Sequence, residues 1–68
     1  MNNESITYRY HRLGEVISRL VEVRKDLQKE IRFLYPHVDK VTMEGMQSIV
    51  VSLNSQIDRL IQKQNDLG

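Results

Sequence analysis

Cysteine is absent from the 68 residues, which excludes disulfides, thiolate metal sites, iron–sulfur clusters and thiol nucleophiles together. A chain this short without covalent staples suits a reducing, intracellular setting. Proline occurs once and glycine three times, too few for a collagen-like or low-complexity disordered chain. Charge of one sign is lacking as well. Ten basic and nine acidic residues leave a net charge of +1, which gives no reason to expect nucleic acid, an anionic membrane surface or an acidic substrate as partner. The longest apolar run is Ile49-Val50-Val51, far short of the ~20 residues a membrane span needs. Polar residues from Met1 to Ser5 lead into Ile6-Thr7-Tyr8-Arg9-Tyr10, with no apolar signal-peptide core. The expected location is cytoplasmic, with no membrane partner.

What is present is apolar periodicity. Ile6, Tyr10, Leu13, Ile17 and Leu20 are followed, after an interruption at Arg24, by Leu27, Ile31 and Leu34, in steps of four and three. The same heptad rhythm resumes at Met43, Met46, Val50, Leu53, Ile57 and Leu60 and ends at Leu67, with Gln64 as its polar member. Between the two lies Tyr35-Pro36-His37-Val38-Asp39-Lys40, where proline disfavours helix at the preceding residue and cannot donate into a continuing one. The expectation is all-α: a single helical-hairpin domain over 1–68, with helix 1 at about 5–35, a loop at about 36–41 and helix 2 at about 42–66. Asn3 or Ser5 can cap the first helix, with Glu4 near its positive end; Asp39 or Thr42 can cap the second, with Glu44 in its first turn. The short connection makes the helices antiparallel neighbours, and the longer first helix should overhang around Ile6 to Arg12. Gly14 and Gly45 interrupt the helical patterns, and Gly14, beside the seam, suggests close approach of another backbone.

A pair of antiparallel helices buries one stripe each. Here Val16, Val21 and Val23 flank the first seam and Ile49 and Ile61 the second, and these five would stay wet in a monomer. Closure by a twofold dimer would give a four-helix bundle with coiled-coil-like seams. A helix of a different protein could fill the same groove, but twofold homodimers are the commonest oligomers. Arg24 is the conflict in the first seam, because a guanidinium taken from water without a partner costs several kcal/mol. Its stem can lie in the seam while its head reaches solvent or a carboxylate; alternatively it sets register or meets an acidic group on a partner.

No constellation for chemistry is visible. His11 and His37 fall at opposite ends of the expected hairpin, and His37 with Asp39 makes two potential ligands where catalytic zinc sites use three, so no metal or cofactor is expected. Ser18, Ser48, Ser52 and Ser55 have no histidine a turn away and no nucleophile elbow. Glu15, Glu22 and Asp26 alternate with Arg12, Arg19, Lys25 and Lys29 as on a solvated, salt-bridged face. The chain is expected to be no enzyme and to have no small-molecule substrate.

Tyr8-Arg9-Tyr10-His11-Arg12 is the local oddity, placing two of the three tyrosines beside two arginines. Tyr and Arg are enriched at protein hot spots, and the same mixture can grip single-stranded nucleic acid by stacking. The candidate partner-binding residues are therefore Tyr8, Arg9, Tyr10, Arg12 and Arg24. The stretch from Val50 to Ile61 carries Asn54-Ser55-Gln56-Ile57-Asp58. It resembles the second helix of the small helical-hairpin phosphatases that act on a bacterial sporulation response regulator, whose signature is Ser-Gln-Glu-Leu-Asp. Only the aspartate is identical and the first helix is longer here, so the resemblance carries over Asp58 alone. The reading that follows is a small regulator, adaptor or inhibitor acting by protein–protein contact, as a homodimer, on another protein, or both. A nucleic-acid-binding bundle comes second, and phosphatase-like action on a response regulator third.

Overall fold

A computed structural model describes residues 3–67. Two helices, α1 (Asn3–Leu34) and α2 (Lys40–Leu67), pack as a hairpin, and no strand occurs among the described residues. The capping expected of Asn3 and the side chain of Glu4 lie outside what is described; Ser5 falls inside α1 rather than before it. The break is shorter than the expected 36–41. A single 3-10 turn, Tyr35–His37, continues from α1 with Pro36 in its first positions, where a missing N–H goes unnoticed. Val38 then extends the chain (φ −122°, ψ 156°).

Asp39 starts α2. Its carboxylate accepts the Thr42 N–H at 3.0 Å and the Thr42 hydroxyl at 2.6 Å, while its carbonyl accepts the Met43 N–H at 3.0 Å. The bond to the Thr42 N–H satisfies a donor that a helix start would leave orphaned, and the Met43 bond is the first within the helix. Thr42 is thus the residue that donates to the cap, not the cap itself, and α2 begins at Lys40 instead of about 42. The Thr42 hydroxyl first, and its backbone N–H second, hold the Asp39 carboxyl below the ordinary carboxylate value.

With heptad positions lettered so that Ile17 and Ile57 are a and Leu20 and Leu60 are d, the seams follow the periodicity closely. Met43, Val50 and Ile57, all at a on α2, are the buried core. The d positions Met46, Leu53, Leu60 and Leu67 are half-buried, as are the seam residues of α1 from Leu13 to Leu34. Arg24 stands opposite Asn54 and Tyr10 opposite Gln64, which sets the register of the antiparallel pair. Since α2 has 28 residues against 32 in α1, the overhang is shorter than Ile6 to Arg12. Tyr10 already has α2 beside it, and only the turns before it project.

The hairpin is thin. Its extents are 54 × 15 × 11 Å and its radius of gyration is 16.0 Å, against about 11 Å for a compact chain of this length. It exposes 5674 Å², where a compact 8.0 kDa monomer would expose about 4,450 Å². The excess is roughly 1,200 Å².

Candidate interaction surface

Heptad geometry decides where that surface lies. Around each helix the order is a, e, b, f, c, g, d, so d and g open on one side of the seam and e on the other. In an antiparallel pair the two d/g edges fall on the same side. On α1 this edge carries Leu13, Leu20, Leu27 and Leu34 at d with Val16 and Val23 at g; on α2 it carries Met46, Leu53, Leu60 and Leu67 at d with Ile49 at g. The g residues are left open: Val16 is 45% exposed, Val23 46% and Ile49 55%. One side of the hairpin thus carries leucines, valines and an isoleucine that its own two helices only half cover, interrupted at g by Glu30, Gln56 and Lys63. Contiguous apolar surface of this kind marks an interaction site.

The five flanking residues singled out from the sequence do not form one surface. Val16, Val23 and Ile49 share the d/g face. Val21 and Ile61 occupy e positions on the opposite edge, where Val21 is half-buried within the hairpin and Ile61 is more open.

That opposite edge is where the polar residues of the seam resolve their conflicts. Arg24 Nη1 donates to Asn54 Oδ1 at 3.0 Å, so its head is engaged across the hairpin, while its Nε is buried without a partner. The amide oxygen supplies half of what a carboxylate would, and the remaining desolvated N–H offsets part of the gain. At the open end, Gln64 Nε2 donates to the Tyr10 carbonyl at 3.2 Å. Gly14 makes this possible: a Cβ there would stand 2.9 Å from Gln64 Nε2. The close approach at Gly14 is therefore made by a side chain rather than by a second backbone. Gly45 faces open space.

Of the aromatic-basic segment, Tyr8 is well exposed and Tyr10 less so. Tyr10 sits edge-on to His11 with ring centroids 5.9 Å apart. Arg12 is paired with Glu15 at 3.3 Å, which neutralises one of the two arginines locally. Arg9 is exposed. Tyr8 to Arg12 thus occupies the free end of α1, with Arg24 well down the seam, so the five candidate partner-binding residues do not converge.

The loop end holds a feature that periodicity passed over: Phe33, Tyr35 and Val41 are all largely exposed. Phe33 is a c residue on the rim of the d/g face; its signal was a large aromatic outside both seams. Asp58 is exposed on the outer surface of α2, in a shallow depression with Arg59, Gln62, Lys63 and Asp66. No group of three His, Asp or Glu suited to a metal occurs among the described residues. No helix among them is long and apolar enough to cross a membrane.

No protein-family model, curated protein or solved structure matches this chain.

Proposed function

We propose that this chain is a small non-enzymatic interaction module, a regulator, adaptor or inhibitor, that associates through its d/g face into a four-helix bundle with coiled-coil-like packing. The observation that carries the reading is the half-covered strip of Leu20, Val23, Leu27, Ile49 and Leu53. Burying such a strip is the dominant favourable contribution available to a hairpin with three buried side chains among its described residues. The Tyr8 to Arg12 segment is the surface proposed to meet a different protein, because its tyrosines and arginines are exposed at the amino-terminal end of α1.

The test is a paired substitution. Val23→Glu with Ile49→Glu is expected to convert the assembly to a single-copy species of reduced helicity by sedimentation and circular dichroism, whereas Val51→Glu, exposed away from this face, is expected to change neither. Equal effects from the two would refute the assignment of the face.

The nucleic-acid alternative is weakened by the Arg12–Glu15 pair. Its signature would be binding that falls steeply with salt and is lost on substituting Arg9, Arg12 and Arg19. Phosphatase-like action would require Asp58→Ala to abolish a measured dephosphorylation of a response regulator; activity surviving that change ends the option.

A further inference from the structure

We infer that the d/g face is covered by a second copy of this chain in one orientation, with α1 antiparallel on the other copy's α1 and the interhelix turns at opposite ends of the bundle. This rests on the reading of the chain as an associating module and adds the partner's identity and direction to it. Two face-to-face hairpins can be related by a dyad along the helices or by one across them. The first keeps helix direction, setting α1 over α2 with both turns at one end; the second reverses direction, setting like on like.

Area argues for a copy rather than for a lone partner helix. Two hairpins expose about 11,300 Å² where a compact dimer of twice the mass would expose about 7,400 Å², a difference of about 4,000 Å² that lies within the range of obligate homodimer interfaces. Register admits the dyad across the helices. A centre midway between Leu20 and Leu27 places Leu20 of one copy against Leu27 of the other, Leu13 against Leu34, and the two Val23 side chains one residue apart beside the dyad. On α2 a centre midway between Leu53 and Leu60 pairs those two, pairs Met46 with Leu67, and brings the two Gln56 side chains one residue apart beside the dyad. The two centres lie close to the same height, because Arg24 faces Asn54 across the hairpin.

Charge on the rims separates the two orientations. Rim position c carries Arg12, Arg19, Asp26 and Phe33 on α1 and Arg59 and Asp66 on α2. Among the described residues the ion pairs are Arg12–Glu15 and Lys40–Glu44, so Arg19 and Asp26 are not paired within the chain. With turns at opposite ends, Arg19 of each copy meets Asp26 of the other, twice over, and no like charges face one another at c. With turns at one end, Arg19 meets Arg59 twice, which cancels the contacts of Arg12 with Asp66. The asymmetry selects the antiparallel assembly.

Because the chain has no cysteine, His37→Cys places a single spin label in the exposed turn. Pulsed electron resonance on the full chain, with its mass measured in the same buffer, is expected to give a doubled mass and a label separation of about 40 Å, the length of a 28-residue helix. A doubled mass with a separation under about 25 Å overturns the orientation and leaves the associating module standing. A single-copy mass overturns both. Asp26→Arg should weaken the dimer about tenfold, and Arg19→Asp in the same chain should restore it. Affinity unchanged by Asp26→Arg would refute the rim pairing.

Discussion

The same substitution at two glycines should have two outcomes. Gly45 and Gly14 both sit inside helices, and replacing an interior glycine by alanine is worth about 1 kcal/mol in helix propensity. At Gly45 nothing lies within 4 Å of the added Cβ, so the gain should be realised in full. For a domain of this size 1 kcal/mol raises the melting midpoint by about 4–8 °C. At Gly14 the Cβ would stand 2.9 Å from Gln64 Nε2, well inside contact distance. The glutamine side chain is flexible and can withdraw, but in doing so it gives up its bond to the Tyr10 carbonyl, worth about 0.5–1.5 kcal/mol. The two contributions nearly cancel, and Gly14→Ala should melt within about 3 °C of the parent. Thermal scans at one protein concentration, for both variants and for Gln64→Ala with and without Gly14→Ala, make the comparison. Stabilisation by Gly14→Ala as large as that by Gly45→Ala would show that the Gln64 niche contributes nothing. Failure of Gly45→Ala to stabilise would contradict the placement of Gly45 in open helix.

Three further outcomes follow from the seam and the cap. Ile57, 3% exposed, anchors the core, and Ile57→Ala should cost about 2–4 kcal/mol, enough to leave the chain largely unfolded at 37 °C by circular dichroism. Arg24→Leu with Asn54→Leu removes the unpartnered Nε along with its half-satisfied head and should stabilise by about 1–3 kcal/mol, while Asn54→Leu alone should destabilise in the same denaturant titration. Asp39 titrates below its ordinary value in the folded chain, chiefly through the Thr42 hydroxyl. The sign is that of a depressed carboxyl: its contribution is present above the unfolded value and fades as pH falls through the folded one. Asp39→Ala should therefore lower the melting midpoint at neutral pH and flatten its decline on acidification, and an unchanged acid limb would count against the cap.

The seams were legible because apolar side chains at a 3.5-residue spacing have to face one partner, and every seam residue from Leu13 to Leu34 does. The interruptions were legible only as conflicts. Arg24 was visible as a misfit, but its acceptor Asn54 was not, since an asparagine adds nothing to apolar periodicity and its position opposite Arg24 depends on how many residues the turn consumes. The turn in turn depends on whether Asp39 or Thr42 caps α2, two residues that composition ranks alike. Once Asp39 takes that role, α2 starts earlier, the overhang shrinks and Gln64 comes to rest against Gly14. The flanking valines and isoleucines were legible as surplus, whereas their division between two edges required the assignment of e and g, which separates Val21 and Ile61 from Val16, Val23 and Ile49. Phe33 was passed over because it belongs to neither stripe.

The proposed assembly depends on two helices leaving an apolar face for a further copy to cover. The most direct test is the molar mass of the chain by light scattering across a dilution series, with melting followed at each concentration. The account predicts about twice 8.0 kDa at micromolar concentration and above, with a melting midpoint that falls on dilution. A mass of 8.0 kDa throughout, with a cooperative melt independent of concentration, would contradict it.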